Sequence, residues 1–285
     1  MKFQENIPLK KYTTFKIGGP AKYFFTAKNK LDLLKAVQEA KIRQLPLFVL
    51  GKGSNLLVSD KGYRGLVINV RCQKISVKKN IVYVEAGVTL GRLASLALEN
   101  KLSGLEWVAG IPGTVGGAIF GNAGAFGGSM RDIIELVEVF DTESNIVKEV
   151  KNKECHFGYR QSFFKKNRHL IILSCKIKLK KGDRHDIKKE MRECLDYRAT
   201  HQPQNPSAGS VFVNPKRYSA RELIDICGLR GRIIGGAQIS NIHSNFIINL
   251  GKATAQDVLS LIKLIKKMVN KKFKVKLEEE IIFLK

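Results

Sequence analysis

Acidic residues are scarce in this chain of 285 residues: 25 aspartates and glutamates stand against 50 lysines and arginines, a formal net charge of +25. The basic excess is 36 lysines to 14 arginines, spread from Lys2 to Lys285. No RNP, zinc-finger or helix-turn-helix pattern accompanies it, so specific nucleic-acid readout is not expected. The densest group, Lys263, Lys266, Lys267, Lys271, Lys272, Lys274 and Lys276, reads as a solvated face. Cysteine is thin as well. Cys72, Cys155, Cys175, Cys194 and Cys227 are odd in number and never in CxxC spacing, which excludes a disulfide framework and a zinc site. No charged segment followed by an apolar core opens the chain, because Lys2, Glu5, Lys10 and Lys11 interrupt it, and a cytoplasmic protein is expected. Long hydrophobic runs are missing with one exception, the uncharged stretch Trp107 to Phe126, in which Gly113, Gly117 and Gly121 follow GxxxG spacing. Pro112, Asn122 and the glycine excess make it a poor helix, and membrane insertion is not expected.

What that stretch does hold is glycine. Eight of the nineteen residues from Gly110 to Gly128 are glycine, interleaved with Ile111, Val115, Ile119, Phe120 and Phe126. A flexible linker would be polar; glycine among large apolar residues means close approach or positive φ. A buried backbone laid against a polyanionic ligand fits, and a tight sheet turn without ligand is the other reading.

Periodicity divides the chain into three parts: 1–72, 73–200 and 201–285. The first reads as a small α/β unit with strands at Ala21 to Thr26, Leu47 to Leu50 and Leu66 to Val70. Its helix, from Leu31 to Arg43, carries Leu31, Leu34, Val37 and Ala40 on one face. The second has a strand from Ile81 to Ala86 and a helix from Leu90 to Glu99. The glycine loop, strands at Leu136 to Phe140 and Leu170 to Leu179, and a charged helix from Asp183 to about Thr200 follow. His201 to Pro206 looks like a hinge. Beyond it, Ser219 with Glu222 and Thr254 with Asp257 resemble capping boxes for helices at Ala220 to Cys227 and Ala255 to about Asn270. Strands at Phe246 to Asn249 and Lys274 to Leu284 complete an α+β region.

Four places carry possible chemistry. The loop Leu50-Gly51-Lys52-Gly53-Ser54-Asn55-Leu56-Leu57 follows a strand, where its N–H groups form an anion nest or a plain turn. It satisfies neither GxxxxGK[ST] nor GxGxxG. Two phosphate-capable loops in adjacent units suggest a dinucleotide spanning them, and the missing Rossmann signature favours a flavin over a nicotinamide held permanently. Tyr159-Arg160 sets an aromatic beside a guanidinium, the natural bidentate partner of a carboxylate. Ser210 lies in Gly209-Ser210-Val211-Phe212 with no His or Asp at a nucleophile-elbow spacing. In Glu278-Glu279-Glu280, strict strand alternation puts Glu278 and Glu280 on one face with Ile282.

Taken in order, Thr13-Thr14-Phe15-Lys16-Ile17-Gly18-Gly19-Pro20, the loop from Gly51 to Leu57, Ile111-Pro112-Gly113-Thr114-Val115-Gly116-Gly117-Ala118, Asn122-Ala123-Gly124-Ala125, Tyr159-Arg160, Gly209-Ser210-Val211-Phe212 and Glu280 resemble the family of UDP-N-acetylenolpyruvoylglucosamine reductases. These are the MurB-type flavoenzymes of peptidoglycan precursor synthesis, and the resemblance covers nearly the whole chain. It implies an FAD-binding fold of the vanillyl-alcohol-oxidase type, two small α/β domains (1–72 and 73–200) followed by an α+β substrate domain (201–285). FAD would lie against Gly51, Lys52, Gly53, Ser54, Asn55 and Leu56, and against Gly110, Ile111, Pro112, Gly113, Gly116, Gly117, Asn122, Ala123 and Gly124. NADPH would reduce the flavin. A hydride from flavin N5 and a proton from Ser210 would then convert the enolpyruvyl ether of UDP-N-acetylglucosamine to UDP-N-acetylmuramate. Arg160 and Glu280 would stabilise the charge that develops, and Tyr159, His201 and Asn214 would contact substrate.

His201 and Val213 stand where the family usually carries lysine and a polar or basic residue. The segment after Phe164 leaves no room for the tyrosine-bearing loop of the longer class, so a shorter-class enzyme, working as a monomer, is expected. The rival readings are an FAD-dependent oxidoreductase of the same cofactor fold with another substrate, and a basic polyanion-binding protein without flavin.

Overall fold

Residues 1–285 are described by a computed structural model, in which the chain forms two units, each assembled from segments far apart in sequence. The first comprises Met1–Phe3, Phe24–Lys52 and Leu66–Arg198, and the second Gln4–Tyr23, Gly53–Gly65 and Ala199–Lys285. The sequence led us to expect three consecutive parts.

In the first unit, helix α1 (Lys30–Ile42) starts where Asn29 accepts a hydrogen bond from Asp32 N at 2.8 Å. It buries Leu33, Ala36, Val37 and Ala40, at the i, i+3, i+4, i+7 spacing of one helix face. Of the expected stripe Val37 and Ala40 are buried, whereas Leu34 is half-buried and Leu31 is 58% exposed. The strand Leu47–Leu50 runs parallel to the adjoining strand, with Leu47 opposite Leu66 and Leu50 opposite Asn69. An antiparallel five-stranded sheet follows in the order Ile146–Lys151, Ile134–Asp141, Leu170–Lys178, Ile81–Glu85, Ile75–Lys78. Leu170–Lys178 lies inside that sheet, and its first six residues are all buried. Helix α2 (Leu90–Glu99), capped by Thr89, buries Leu90, Leu93, Ala94 and Ala97.

The glycine stretch is not wholly a loop. Val115–Gly121 forms a two-turn helix, α3, which ends at Asn122 in the left-handed conformation with φ 43°. Three apolar residues, Val115, Ala118 and Ile119, are buried on one side of it, and that burial overrides the poor helix propensity of glycine. Helix α4 (Arg184–His201) runs one residue into the expected hinge.

In the second unit a four-stranded sheet has the order Ser207–Ser210, Phe246–Asn249, Ala237–Ile239, Ile233–Ile234. Helix α5 (Ala220–Ile226) starts at Ser219, whose side chain accepts from Glu222 N. Helix α6 (Ala255–Phe273) starts at a full capping box between Thr254 and Asp257 and buries Val258, Leu261, Ile262, Ile265 and Val269. Those side chains meet Phe15, Phe212 and Ile247 in one core.

The expected strand from Lys274 to Leu284 is reduced to Ile282–Leu284, which pairs in parallel with Leu56–Val58. Lys274 adopts φ 57° to stop α6, and the chain then makes a single bridge, Phe212 to Glu279, before the short strand. Face alternation therefore does not govern the three glutamates: Glu278 and Glu279 are exposed, and Glu280 is half-buried.

Candidate functional site

The second unit gathers four motif segments that the sequence holds up to 267 positions apart, from Thr13 to Glu280. Thr14 N donates to Gly53 O at 3.2 Å, and Thr14 Oγ1 donates to Ser207 O at 2.7 Å. Asn55 Nδ2 donates to Glu280 O at 3.0 Å, and Asn55 O accepts from Ile282 N at 3.0 Å. Glu280 N donates to Val211 O at 2.8 Å, and Val213 N to Glu278 O at 3.0 Å. Ser210, half-buried, stands opposite Phe246 on the strand next to that junction. The register shifts between Ser207 and Ser210, and Gly209 there has φ 75° with nothing near the place of a Cβ. This bulge turns the strand at the residue before Ser210. Ser210 and Glu280 thus lie on adjoining backbones tied by these two hydrogen bonds.

Gly53 is fixed by the chain itself: its φ is +65°, and a Cβ would collide with Tyr12 O. Ser54 and Leu56 follow it, Leu56 buried at the start of its strand. Asn214 Oδ1 accepts from Ala220 N at 2.9 Å, holding the turn that leads into α5. His201 ends α4, exposed, with Nδ1 2.7 Å from Thr200 Oγ1.

In the first unit, the Arg160 turn is docked on the end of α3. Gly158 and Gln161 exchange backbone hydrogen bonds at 3.0 and 3.1 Å, and Arg160 between them has φ 55°. Asn122 Nδ2 donates to Gly158 O at 2.8 Å, while Asn122 Oδ1 accepts from Arg131 N at 3.0 Å. Ser162 Oγ donates to Phe120 O at 2.6 Å. A non-glycine residue in the left-handed region is strained, and the strain persists because its neighbours hold it. The Arg160 guanidinium lies 5.6 Å from the ring of exposed Tyr159.

The two glycine loops meet here as well, because a Cβ at Gly51 would collide with Thr114 Oγ1. Lys52 follows Gly51 on the exposed side. Gly110 (φ 81°) and Gly113 back onto Arg198 and Leu90, Gly116 sits 2.9 Å by its Cβ position from Ala86 Cβ, and Gly124 backs onto Gly128 and Ser129. Ile111 and Pro112 lie in the turn between them, and Ala123 N donates to Ala118 O at 2.8 Å, closing α3.

Gly117 and Gly121 differ from these. A Cβ at Gly117 would be no nearer than 3.6 Å to any neighbour, and one at Gly121 would meet nothing within 4 Å. They are four apart, hence on one helix face. Protein contacts explain Gly51, Gly53, Gly110, Gly113, Gly116 and Gly124 but not these two, and the bare helix face leaves room for a flat cofactor ring, so the residues fit FAD.

One residue escaped the sequence reading. Arg198 Nε donates to Ala109 O at 2.9 Å and Nη2 to Trp107 O at 3.2 Å, fixing the chain just before Gly110. Burial, together with the charge of nearby Arg160, holds it below the usual arginine range against the opposing pull of Cys194. No local motif marks it, since its partners are backbone carbonyls some 90 positions away.

Known proteins place this geometry. Residues 21–149 match the profile of an FAD binding domain, and 202–284 that of the UDP-N-acetylenolpyruvoylglucosamine reductase C-terminal domain. The reductase of Caldanaerobacter subterraneus subsp. tengcongensis is 44% identical over 278 residues, 97% of this chain and 91% of the relative. Reductase 1 of Bacillus cereus is 43% identical over 97% of this chain and 92% of its own length. The crystal structure of the Thermus caldophilus reductase superposes with a TM-score of 0.86 at 38% identity, covering 100% of both chains. With likeness of that extent in sequence and in fold, the chain belongs to the family of UDP-N-acetylenolpyruvoylglucosamine reductases.

Proposed function

We propose that the chain reduces the enolpyruvyl ether of UDP-N-acetylglucosamine to UDP-N-acetylmuramate, with FAD bound and NADPH as electron donor. The observation that carries this reading is the junction of Ser210 and Glu280, joined through Glu280 N and Val211 O, in a chain whose relatives are reductases of this name. Bound FAD would supply the hydride to the methylene carbon of the enolpyruvyl group. The remaining chemistry falls to side chains. Ser210 Oγ gives a proton to the neighbouring carbon, so that the double bond becomes a saturated lactyl ether. Arg160 pairs with the substrate carboxylate, where a guanidinium binds two oxygens at once and stays charged. Glu280 faces the same developing charge in its protonated form. Tyr159, His201 and Asn214 hold the sugar nucleotide, with residues 201–285 as the substrate part and the regions 1–72 and 73–200 as the FAD part.

A positioned general acid contributes roughly 10²–10⁴-fold in rate. Ser210→Ala is therefore expected to slow reoxidation of the reduced flavin by substrate by about that factor and to leave its reduction by NADPH unchanged, as read by stopped-flow absorbance. Equal loss in both half-reactions would remove Ser210 from the role of proton donor.

A further inference from the structure

The strained turn that carries Arg160 is anchored on three sides. Gly158 O accepts from Gln161 N at 3.1 Å and from Asn122 Nδ2 at 2.8 Å, and Ser162 Oγ donates to Phe120 O at 2.6 Å. The third anchor comes from further along the chain, where Lys165 Nζ donates to Arg160 O at 2.7 Å. An ammonium bound to a carbonyl at that distance makes a charge-assisted bond, stronger than one between neutral groups.

The place of this bond decides what it does. The peptide between Arg160 and Gln161 is gripped at both ends, its N–H by Gly158 O and its C=O by Lys165 Nζ. Turning the peptide over would break both bonds at once. Arg160 has φ 55°, in the left-handed region that a residue with a Cβ keeps only where its surroundings hold it. Where this backbone points, the guanidinium follows.

Lys165 is prepared for the task by its own setting. It belongs to the short helix Phe163–Lys166, in which Phe164 is fully buried, and its N–H donates to Ser162 O at 3.2 Å. Asn167 closes that helix by donating to Phe163 O through N at 3.1 Å and through Nδ2 at 2.9 Å. A free lysine loses much rotamer freedom when its tip is held. Here its backbone is already fixed and its side chain half-buried, whereas the neighbouring Lys166 is exposed.

We infer that Lys165 is a positioning residue for the reduction: it holds the Arg160 peptide so that the guanidinium meets the substrate carboxylate. The inference rests on the reductase reading, in which Arg160 pairs with that carboxylate. Two parallel N–H···O bonds require the guanidinium plane in one orientation, and a misplacement of about 1 Å can cost about 10²-fold in rate. Lys165 acts through Arg160, not on the substrate.

The test follows the FAD-loaded protein by stopped-flow absorbance through both half-reactions, reduction by NADPH and reoxidation by the enolpyruvyl sugar nucleotide. The variants are Lys165→Met, Lys165→Arg, Arg160→Ala, and Lys165→Met combined with Arg160→Ala. Lys165→Met keeps the length of the side chain and removes its donor. It is expected to reoxidise about 10- to 100-fold more slowly at saturating substrate, with reduction by NADPH unchanged. Lys165→Arg should recover most of that loss, and the double variant should be no slower than Arg160→Ala, because the two groups act as one. Lys166→Met, on the same short helix, should match the parent. If Lys165→Met does not retain flavin, Lys165→Gln, one atom shorter and neutral, replaces it with the same expectation. Parental reoxidation in Lys165→Met beside a slow Arg160→Ala, equal slowing of both half-reactions, or losses that multiply in the double variant would overturn the inference. Fast reoxidation in Arg160→Ala would instead remove Arg160 from the substrate carboxylate, and Lys165 with it.

Discussion

At the scale of single residues, Asn122 does more than its place in a glycine-rich run suggests. It ends α3 at positive φ, and its amide spans Gly158 O and Arg131 N, so it fixes the turn that carries Arg160. Replacement by alanine loses two hydrogen bonds and keeps the left-handed strain, at a cost of about 2–4 kcal/mol. Chemical denaturation of Asn122→Ala against Asn122→Gly, which loses the same two hydrogen bonds but relieves the strain, should show the alanine variant as the less stable. His243 makes the second case. Burial, with Arg221 beside it, pushes its pKa down from 6.5 to about 4. The unfolded chain therefore takes up a proton that the folded protein refuses. This contribution to stability is whole above pH 6.5 and is lost as pH falls toward 4. A His243→Gln variant should lose less stability than the parent between those two values, measured by urea midpoints across pH. Arg160, Ser210 and Glu280 could be singled out in the sequence because each sits in a short motif. The sequence hid Arg198 and Asn122's double role because their partners are backbone atoms brought up by the fold.

At the scale of elements, helices with caps were legible and short strands were not. Ser219 and Thr254 each mark a helix start that the structure keeps. The run from Lys274 to Leu284 reads as one strand by composition, but its glutamates answer to the Val211–Val213 backbone, a contact invisible to local pattern. Helix α6 shows the same limit, because its N-terminus is held from far away. Asp60 accepts from Ala255 N at 2.8 Å and from Gln256 N at 3.1 Å, satisfying two of the donors that a helix start leaves open. Asp60→Ala should destabilise by about 1–2 kcal/mol in thermal unfolding. Helix α3 offers a sharper contrast. Gly116 is pressed against Ala86, and Gly117 is not pressed against anything. Gly117→Leu is expected to leave apoprotein stability unchanged or slightly raised, since leucine favours helix by about 0.5–1 kcal/mol over glycine, and to abolish flavin retention; Gly116→Leu should impair folding itself. Absorbance at the flavin band beside a melting curve separates the two.

At the scale of the whole molecule, the net charge of +25 and the interleaved units are the features that local reading handles least well. Order along the chain suggested three consecutive parts, whereas residues 4–23 and 53–65 cluster with the C-terminal region, a consequence of long-range pairing such as Leu56–Val58 with Ile282–Leu284. No helix is long and apolar enough to cross a membrane. The charge bears on encounter with a nucleotide sugar carrying a diphosphate and a carboxylate, and kcat/KM should fall severalfold as ionic strength rises from about 20 to about 200 mM, with kcat changing little.

The central claim, that this chain is a flavoenzyme reducing an enolpyruvyl sugar nucleotide, is tested most directly by the anaerobic visible spectrum of the purified protein. The account predicts a flavin band that bleaches on adding NADPH and returns only on adding the enolpyruvyl ether of UDP-N-acetylglucosamine. A band that stays bleached with that substrate, or a protein without flavin, would contradict it.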